Sequence, residues 1–200
     1  TYCAATRTGQ DVERILDGVL DLKRRGVAVK LNMVPVRGLN DRDIVPLVEF
    51  ALAHDIPVRF IELMPLGEGK RFDGMKQEEV MRMLENRFGP MTPTPGRFGN
   101  GPAAYYRTPG APTRIGYIAA LSGNFCAGCN RIRLTSAGFL KTCLHHGHGE
   151  DLAGPLRGVE DDAALSARIR RIVADKPAGH EFTCPVTSVS GSEPKHRIGG

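Results

Sequence analysis

The sequence predicts an α/β protein whose parallel sheet is followed by a smaller α+β module. Three observations predict it. Helix-like and strand-like patterns alternate twice within residues 11–64, at a repeat of roughly thirty residues. Stretches rich in Gly, Pro and charge then break that rhythm at 65–75 and 89–102. Beyond them, three of the five cysteines gather between residues 126 and 143.

Taken in order, residues 11–25 place Val12, Ile15, Leu16, Val19 and Leu20 on one helical face. Lys23, Arg24 and Arg25 suit the negative end of that helix, and Gly26 stops it. Residues 27–34 read as a strand, and Gly38 with Asn40-Asp41 as a turn and helix cap. Ile44, Leu47, Val48, Ala51 and Leu52 repeat the helical stripe over 43–54, and 57–64 is the next strand. Lys30, Arg59 and Met64 belong to these two strands. In parallel α/β folds functional side chains gather at the carboxyl ends of strands. Two such units do not close a barrel, so further strands are expected upstream of Thr1, and the chain reads as a fragment or processed product.

A short helix is expected at 76–88, with Val80, Leu84 and Phe88 as its buried stripe. Strands follow at 103–107, 114–121 and 130–143, then a helix near 161–174. The expected domain boundary lies between residues 75 and 76.

Composition places the chain among ordinary folded proteins, with 41% hydrophobic and 24% charged residues. No run of eighteen apolar residues and no signal peptide occurs, so a cytoplasmic protein with no membrane partner is expected. The net charge of +5 suits a phosphorylated metabolite or a merely solvated basic surface. Nucleic acid is not expected, because no known binding motif and no basic stretch interleaved with stacking aromatics is present. Five unevenly spaced cysteines argue against a disulfide framework. Cys3 and Cys184 stand alone, and a lone Cys is usually a small buried residue.

The segment NFCAGCNRIRLTSAGFLKTCL carries the densest chemistry. Cys126 and Cys129 form a C-x-x-C, whose two thiolates can chelate one metal centre from a tight turn. Gly128 gives that turn room, and Cys143 arrives after thirteen residues. Spacing alone leaves two metals open. Zinc would take a fourth ligand from His145, His146 or His148. A four-iron cluster on three thiolates would leave one iron for a substrate. Arg131 and Arg133 alternate with Ile132 and Leu134, so both guanidiniums are expected to face one side of a strand, beside the metal. There they suit a phosphate or carboxylate; solvated arginines on an exposed strand are the plainer alternative.

This segment resembles the radical SAM GTP 3′,8-cyclases of molybdenum cofactor biosynthesis, the MoaA family. So do VKLNMVPVRGLND at 29–41, VRFIELMPLG at 58–67 and the closing RIGG. The resemblance implies the C-terminal part of an incomplete (α/β)6 radical SAM barrel, plus a smaller module carrying an Fe–S cluster. It implies a lyase that converts GTP to 3′,8-cyclo-dihydro-GTP by way of a 5′-deoxyadenosyl radical. The implied cofactors are two [4Fe–4S] clusters, one of them upstream of this chain, and S-adenosylmethionine. By the resemblance, Cys126, Cys129 and Cys143 hold the second cluster, and Arg131 and Arg133 lie beside the substrate. Lys30 and Arg59 face the GTP phosphates, and Met64 contacts S-adenosylmethionine. Gly199 and Gly200 form a tail that enters the active site. On its own pattern Met64 is a core side chain and the two glycines a frayed end. The implied partners are GTP and the next enzyme of the pathway, cyclic pyranopterin monophosphate synthase, with a homodimer left open.

The chain departs from the family in two places. The C-x-x-x-C-x-x-C motif of the first cluster is absent, and Cys3 has no partner at that spacing. This chain alone is therefore expected to be inactive toward S-adenosylmethionine. The HHGHG stretch at 145–149 is also not expected in the family, and a zinc-binding or interaction module is the alternative it raises.

Overall fold

The computed structural model describes residues 2, 6, 7, 9, 11–96, 98–123, 125–158, 161–180 and 182. Cys3, Cys184, Gly199 and Gly200 lie outside the described residues. The chain forms α1 (Val12–Arg24), β1 (Leu31–Met33), α2 (Ile44–Ala53), β2 (Val58–Ile61) and α3 (Gln77–Phe88). Then come β3 (Thr92–Pro93), β4 (Ala104–Arg107), β5 (Ile115–Ile118), β6 (Arg133–Leu134), β7 (Phe139–Lys141) and β8 (Gly149–Asp151). Two helices close the series, α4 (Ala153–Arg157) and α5 (Asp162–Ala174). These elements fall into two compact units, Thr1–Met64 with Gly69–Gly123, and Pro65–Glu68 with Asn124–Gly200.

The first unit is a five-stranded mixed sheet in the order β1-β2-β5-β4-β3. β1, β2 and β5 are parallel, and β4 and β3 add antiparallel strands at one edge. Two of the parallel strands end at identifiable residues. β1 stops before Pro35, which has no N–H to donate to the ladder. β2 stops before Glu62, whose side chain serves another purpose described below. Along β2, Val58 and Phe60 are buried while Arg59 and Ile61 are half-buried, which is the period of a strand with two different faces. The buried face packs on α2 and α3 through Ile44, Val48, Val58, Val80, Leu84 and Ile115, all within 1% of complete burial. Burying such a side chain stabilises the fold by roughly 1.5–3 kcal/mol.

The helices obey the expected patterns, with local differences at their ends. α1 is capped by Asp11, whose carboxylate accepts from the Glu13 N–H at 3.3 Å. Gly26 turns the chain at φ +80°. Asn40, expected as a helix cap, instead closes the preceding loop. Its side chain accepts from the Val36 N–H at 2.7 Å and donates to the Val34 carbonyl at 2.9 Å. A 3-10 turn over Asp41–Asp43 then leads into α2. Pro46 fits in the first turn of α2, where an N–H would have no helical partner.

The division differs from the boundary expected at residue 75. β3, β4 and β5 complete the sheet of the first unit, because Ile115 and Tyr117 fall in register with Val58 and Phe60 and share their buried face. The second unit is smaller. Its three-stranded antiparallel sheet, β6-β7-β8, is covered by α5, with Leu140, Leu152 and Ile172 at the centre. The single strand expected over 130–143 is two strands joined by a turn. The Thr135 hydroxyl accepts from Phe139 N–H at 3.1 Å, and Gly138 takes φ +89°. A Cβ on Gly138 would meet the Cβ of Ala153 at 2.6 Å, so glycine is required for both conformation and space.

Space also decides Gly116 in β5. A Cβ there would stand 2.8 Å from Tyr105 Cε1 and 3.0 Å from Arg59 Cγ. Gly116→Ala is expected to destabilise the chain by about 1–3 kcal/mol, read by urea denaturation. An unchanged midpoint would show that Tyr105 and Arg59 yield freely.

Candidate functional site

The first unit carries a polar row on the sheet face opposite α2 and α3. Register sets it: Asn32 pairs with Arg59, Arg59 with Gly116, and Gly116 with Tyr105. Side chains at paired positions share a face, so four consecutive strands contribute to one line. Arg59 Nε donates to Asn32 Oδ1 at 2.8 Å, which aims the guanidinium along the sheet. Lys30 stands just before β1, and its Nζ donates to the Phe98 carbonyl at 2.9 Å. Phe98 is held in turn by the guanidinium of Arg114, 3.9 Å above its ring, and by an edge contact with Tyr105. Of the predicted phosphate-facing residues, Arg59 lies on β2, whereas Lys30 falls one residue short of β1, the strand expected for it. Met64 is not on the strand expected for it. It is half-buried three residues past the end of β2, where the chain has already left the ladder.

Sequence reasoning passed over Glu62, the charged residue inside the apolar run FIELM. It is 6% exposed. Its carboxylate accepts from Leu121 N–H at 2.7 Å, Ser122 N–H at 2.9 Å, Ser122 Oγ at 2.5 Å and Gln77 N–H at 3.1 Å. Burial pushes this carboxyl up, but the hydrogen bonds from Ser122, Leu121 and Gln77 outweigh it and hold the group below its ordinary value of 4.5. The signal for Glu62 was a carboxylate where a strand pattern calls for an apolar side chain.

In the second unit Cys126 lies in a 3-10 turn over Phe125–Gly128, and Cys129 follows directly. The Cys129 N–H donates to the Cys126 carbonyl at 3.0 Å, so the C-x-x-C is one closed turn. Cys143 sits two residues past β7. Its neighbour Thr142 is fully buried, and the Thr142 N–H donates to the His148 carbonyl at 3.2 Å. All three thiols are free and half-buried. Among the described residues, no three Cys, His, Asp or Glu side chains stand close enough together to hold a metal ion.

The surroundings nonetheless favour thiolate. Burial raises the Cys129 thiol, yet hydrogen bonding from the Arg131 backbone and from Lys176, with the charges of both residues, brings it below the ordinary thiol value. Arg131 does not alternate with Arg133 on one strand as expected. β6 begins only at Arg133, and Arg131 lies before it, with its guanidinium 5.2 Å from the centre of the Phe125 ring. His146 Nε2 is hydrogen-bonded to the Gly179 carbonyl at 2.9 Å, and His145 packs its ring on His146 and Phe182. The donors of the Cys turn are thus sulfur, with cationic neighbours, and this donor chemistry fits a cluster held by thiolates.

Fold and site together define a mixed α/β protein with a polar sheet face in one unit and a cysteine turn in the other. The family described as Molybdenum Cofactor Synthesis C matches residues 56–182, and the chain belongs to that family. It is similar to the GTP 3′,8-cyclase of Rhodobacter capsulatus, at 40% identity over 95% of this chain and 58% of the relative. The GTP 3′,8-cyclase of Rhodopseudomonas palustris strain CGA009 is 40% identical over 88% of this chain and 52% of the relative. That of Clostridium perfringens strain SM101 is 36% identical over 88% and 54%. The chain spans about half the length of the curated relatives it matches. No helix among the described residues is long and apolar enough to cross a membrane.

Glu62 yields a pH prediction. Its carboxyl is depressed in the folded chain, so its stabilisation is present above the unfolded value and is lost as pH falls through the folded one. Glu62→Gln is expected to cost about 1–3 kcal/mol at pH 7, because a buried acceptor of several N–H groups becomes partly a donor. In urea denaturation the gap from wild type should narrow below about pH 4.5. A gap that stays constant with pH would refute the ionised staple.

Proposed function

We propose that this chain supplies the GTP-binding and second-cluster part of a GTP 3′,8-cyclase, a radical SAM lyase of molybdenum cofactor biosynthesis. One observation carries this reading: the likeness to curated GTP 3′,8-cyclases runs over 88–95% of the chain at 36–40% identity. In this reading β1, β2 and β5 with their helices belong to a partial radical SAM barrel. Cys126, Cys129 and Cys143 hold a [4Fe–4S] cluster. When bound, such a cluster supplies one iron free of protein ligands and open to a nitrogen or oxygen of the substrate.

The residues of this chain then do three things. They neutralise the triphosphate: Lys30, just before β1, and Arg59, on β2, offer positive charge, and Arg59 is pre-aimed by its bond to Asn32. They hold the nucleotide near the metal centre: Arg131 and Arg133 are suited to paired hydrogen bonds with its anionic groups. They restrict the motion of the reactants, which is the protein's share of a cofactor-driven reaction. Met64 is assigned to contact S-adenosylmethionine, and Gly199 and Gly200 to a tail entering the site. The product, 3′,8-cyclo-dihydro-GTP, would pass to cyclic pyranopterin monophosphate synthase. No C-x-x-x-C-x-x-C occurs in this sequence, so the chain by itself is assigned no cleavage of S-adenosylmethionine.

Anaerobic reconstitution is expected to give a brown protein with about four irons per chain. Cys143→Ala should lose them. A colourless chain holding one zinc would overturn the cluster. Arg131→Ala and Arg133→Ala should each weaken GTP binding by about tenfold or more while the iron is retained. Unchanged GTP affinity in both variants would remove these arginines from the substrate site.

A further inference from the structure

Lys176, whose ammonium favours the Cys129 thiolate, has no part in the proposed binding of GTP. It lies two residues beyond α5 and is half-buried. Its Nζ donates to Cys129 Sγ at 3.3 Å and to the Arg131 carbonyl at 2.7 Å. The ammonium thus spans the residues that leave the C-x-x-C turn, bonding the second thiol and the backbone just after it.

The position of Lys176 is set from elsewhere in the second unit. Its backbone N–H donates to the Val173 carbonyl at 3.2 Å, at the end of α5. α5 is seated by Ile172, Leu165 and Ile169 against Leu140 and Leu152. Arg168 and Arg171 clamp the same helix to Glu150 of β8 at 3.4 and 2.8 Å. A packed helix therefore presents a fixed cation to one cysteine. The opposite arrangement, a loop lysine drifting onto a thiol, would lack this anchorage.

We infer that Lys176 is a positioning residue for the metal centre. It pins the chain leaving the Cys126–Cys129 turn by its bond to the Arg131 carbonyl, and it tunes the centre by an N–H···S bond to Cys129. Hydrogen bonds to cluster sulfurs and nearby positive charge favour the reduced, more negative state, and such outer partners govern metal retention as well. The inference rests on the cluster reading above.

The test uses the 200-residue chain and its Lys176→Met, Lys176→Gln and Lys176→Arg variants, reconstituted anaerobically. Circular dichroism checks the fold, a redox titration followed by electron paramagnetic resonance reads the midpoint, and a chelator challenge reads iron loss. Lys176→Met is expected to shift the midpoint to more negative potential and to lose iron roughly tenfold faster. Lys176→Gln, which keeps an N–H donor without the charge, should fall between Met and wild type. Lys176→Arg should restore both readings. A folded Lys176→Met chain with wild-type midpoint and iron loss would overturn the role of Lys176 alone. Should Lys176→Met not fold, equal midpoints in Lys176→Gln and wild type would do the same. A wild-type chain that takes up no iron would overturn the cluster reading, and this role with it.

Discussion

The carboxylate of Glu62 closes a point in the first unit where three chain segments have run out of regular hydrogen-bonding partners. β2 has just ended, α3 is about to begin with unpaired N–H groups, and the chain leaving β5 turns at Leu121 and Ser122. One ionised side chain at the end of β2 accepts from the other two. A neutral residue there would leave several N–H groups buried without partners, and each such group is costly. The ends of the two central parallel strands are thereby tied together on the side where α/β proteins place their chemistry.

That constraint gives the polar sheet face its rigidity. Arg59 sits on β2, three residues before Glu62, and the bond to Asn32 aims the guanidinium along the sheet. Gly116 clears the space in which Arg59 and Tyr105 lie side by side. Strand register, one hydrogen bond and one missing Cβ together fix the direction of a long cationic side chain. A flexible arginine would otherwise pay conformational entropy on meeting an anion.

The second unit solves a similar problem with different means. The C-x-x-C turn is short and its thiols are half-buried. It is closed by the Cys129 N–H bond to the Cys126 carbonyl, and its exit is met by Lys176, just past α5, a helix clamped to β8 by two arginines and seated on a small apolar core. The thiols themselves are not drawn into a single group among the described residues, whereas the cation that favours thiolate is already seated. The proposed cluster would thus join a turn whose electrostatics precede it.

Much of this was legible in the residues. Periodicity of 3.6 identified α1, α2, α3 and α5 to within a residue or two, since apolar stripes follow helical geometry wherever they are buried. Turn and strand lengths were less legible. The chain 130–143 alternates like one strand, but the Thr135–Gly138 turn folds it into two, a choice made by the contact of Gly138 with Ala153. The boundary at residue 75 followed a change in composition, while β5 pairs with β2 across more than fifty residues of chain. By itself the sequence determined the alternation of helices and strands, the thiols on their tight turn, and membership of the molybdenum cofactor synthesis family. Only the tertiary structure decided that Glu62 is a staple, that Asn32 aims Arg59, and that Lys176 meets Cys129. Those partners lie far apart in the chain, and what joins them is burial and register, which no local pattern of residues encodes.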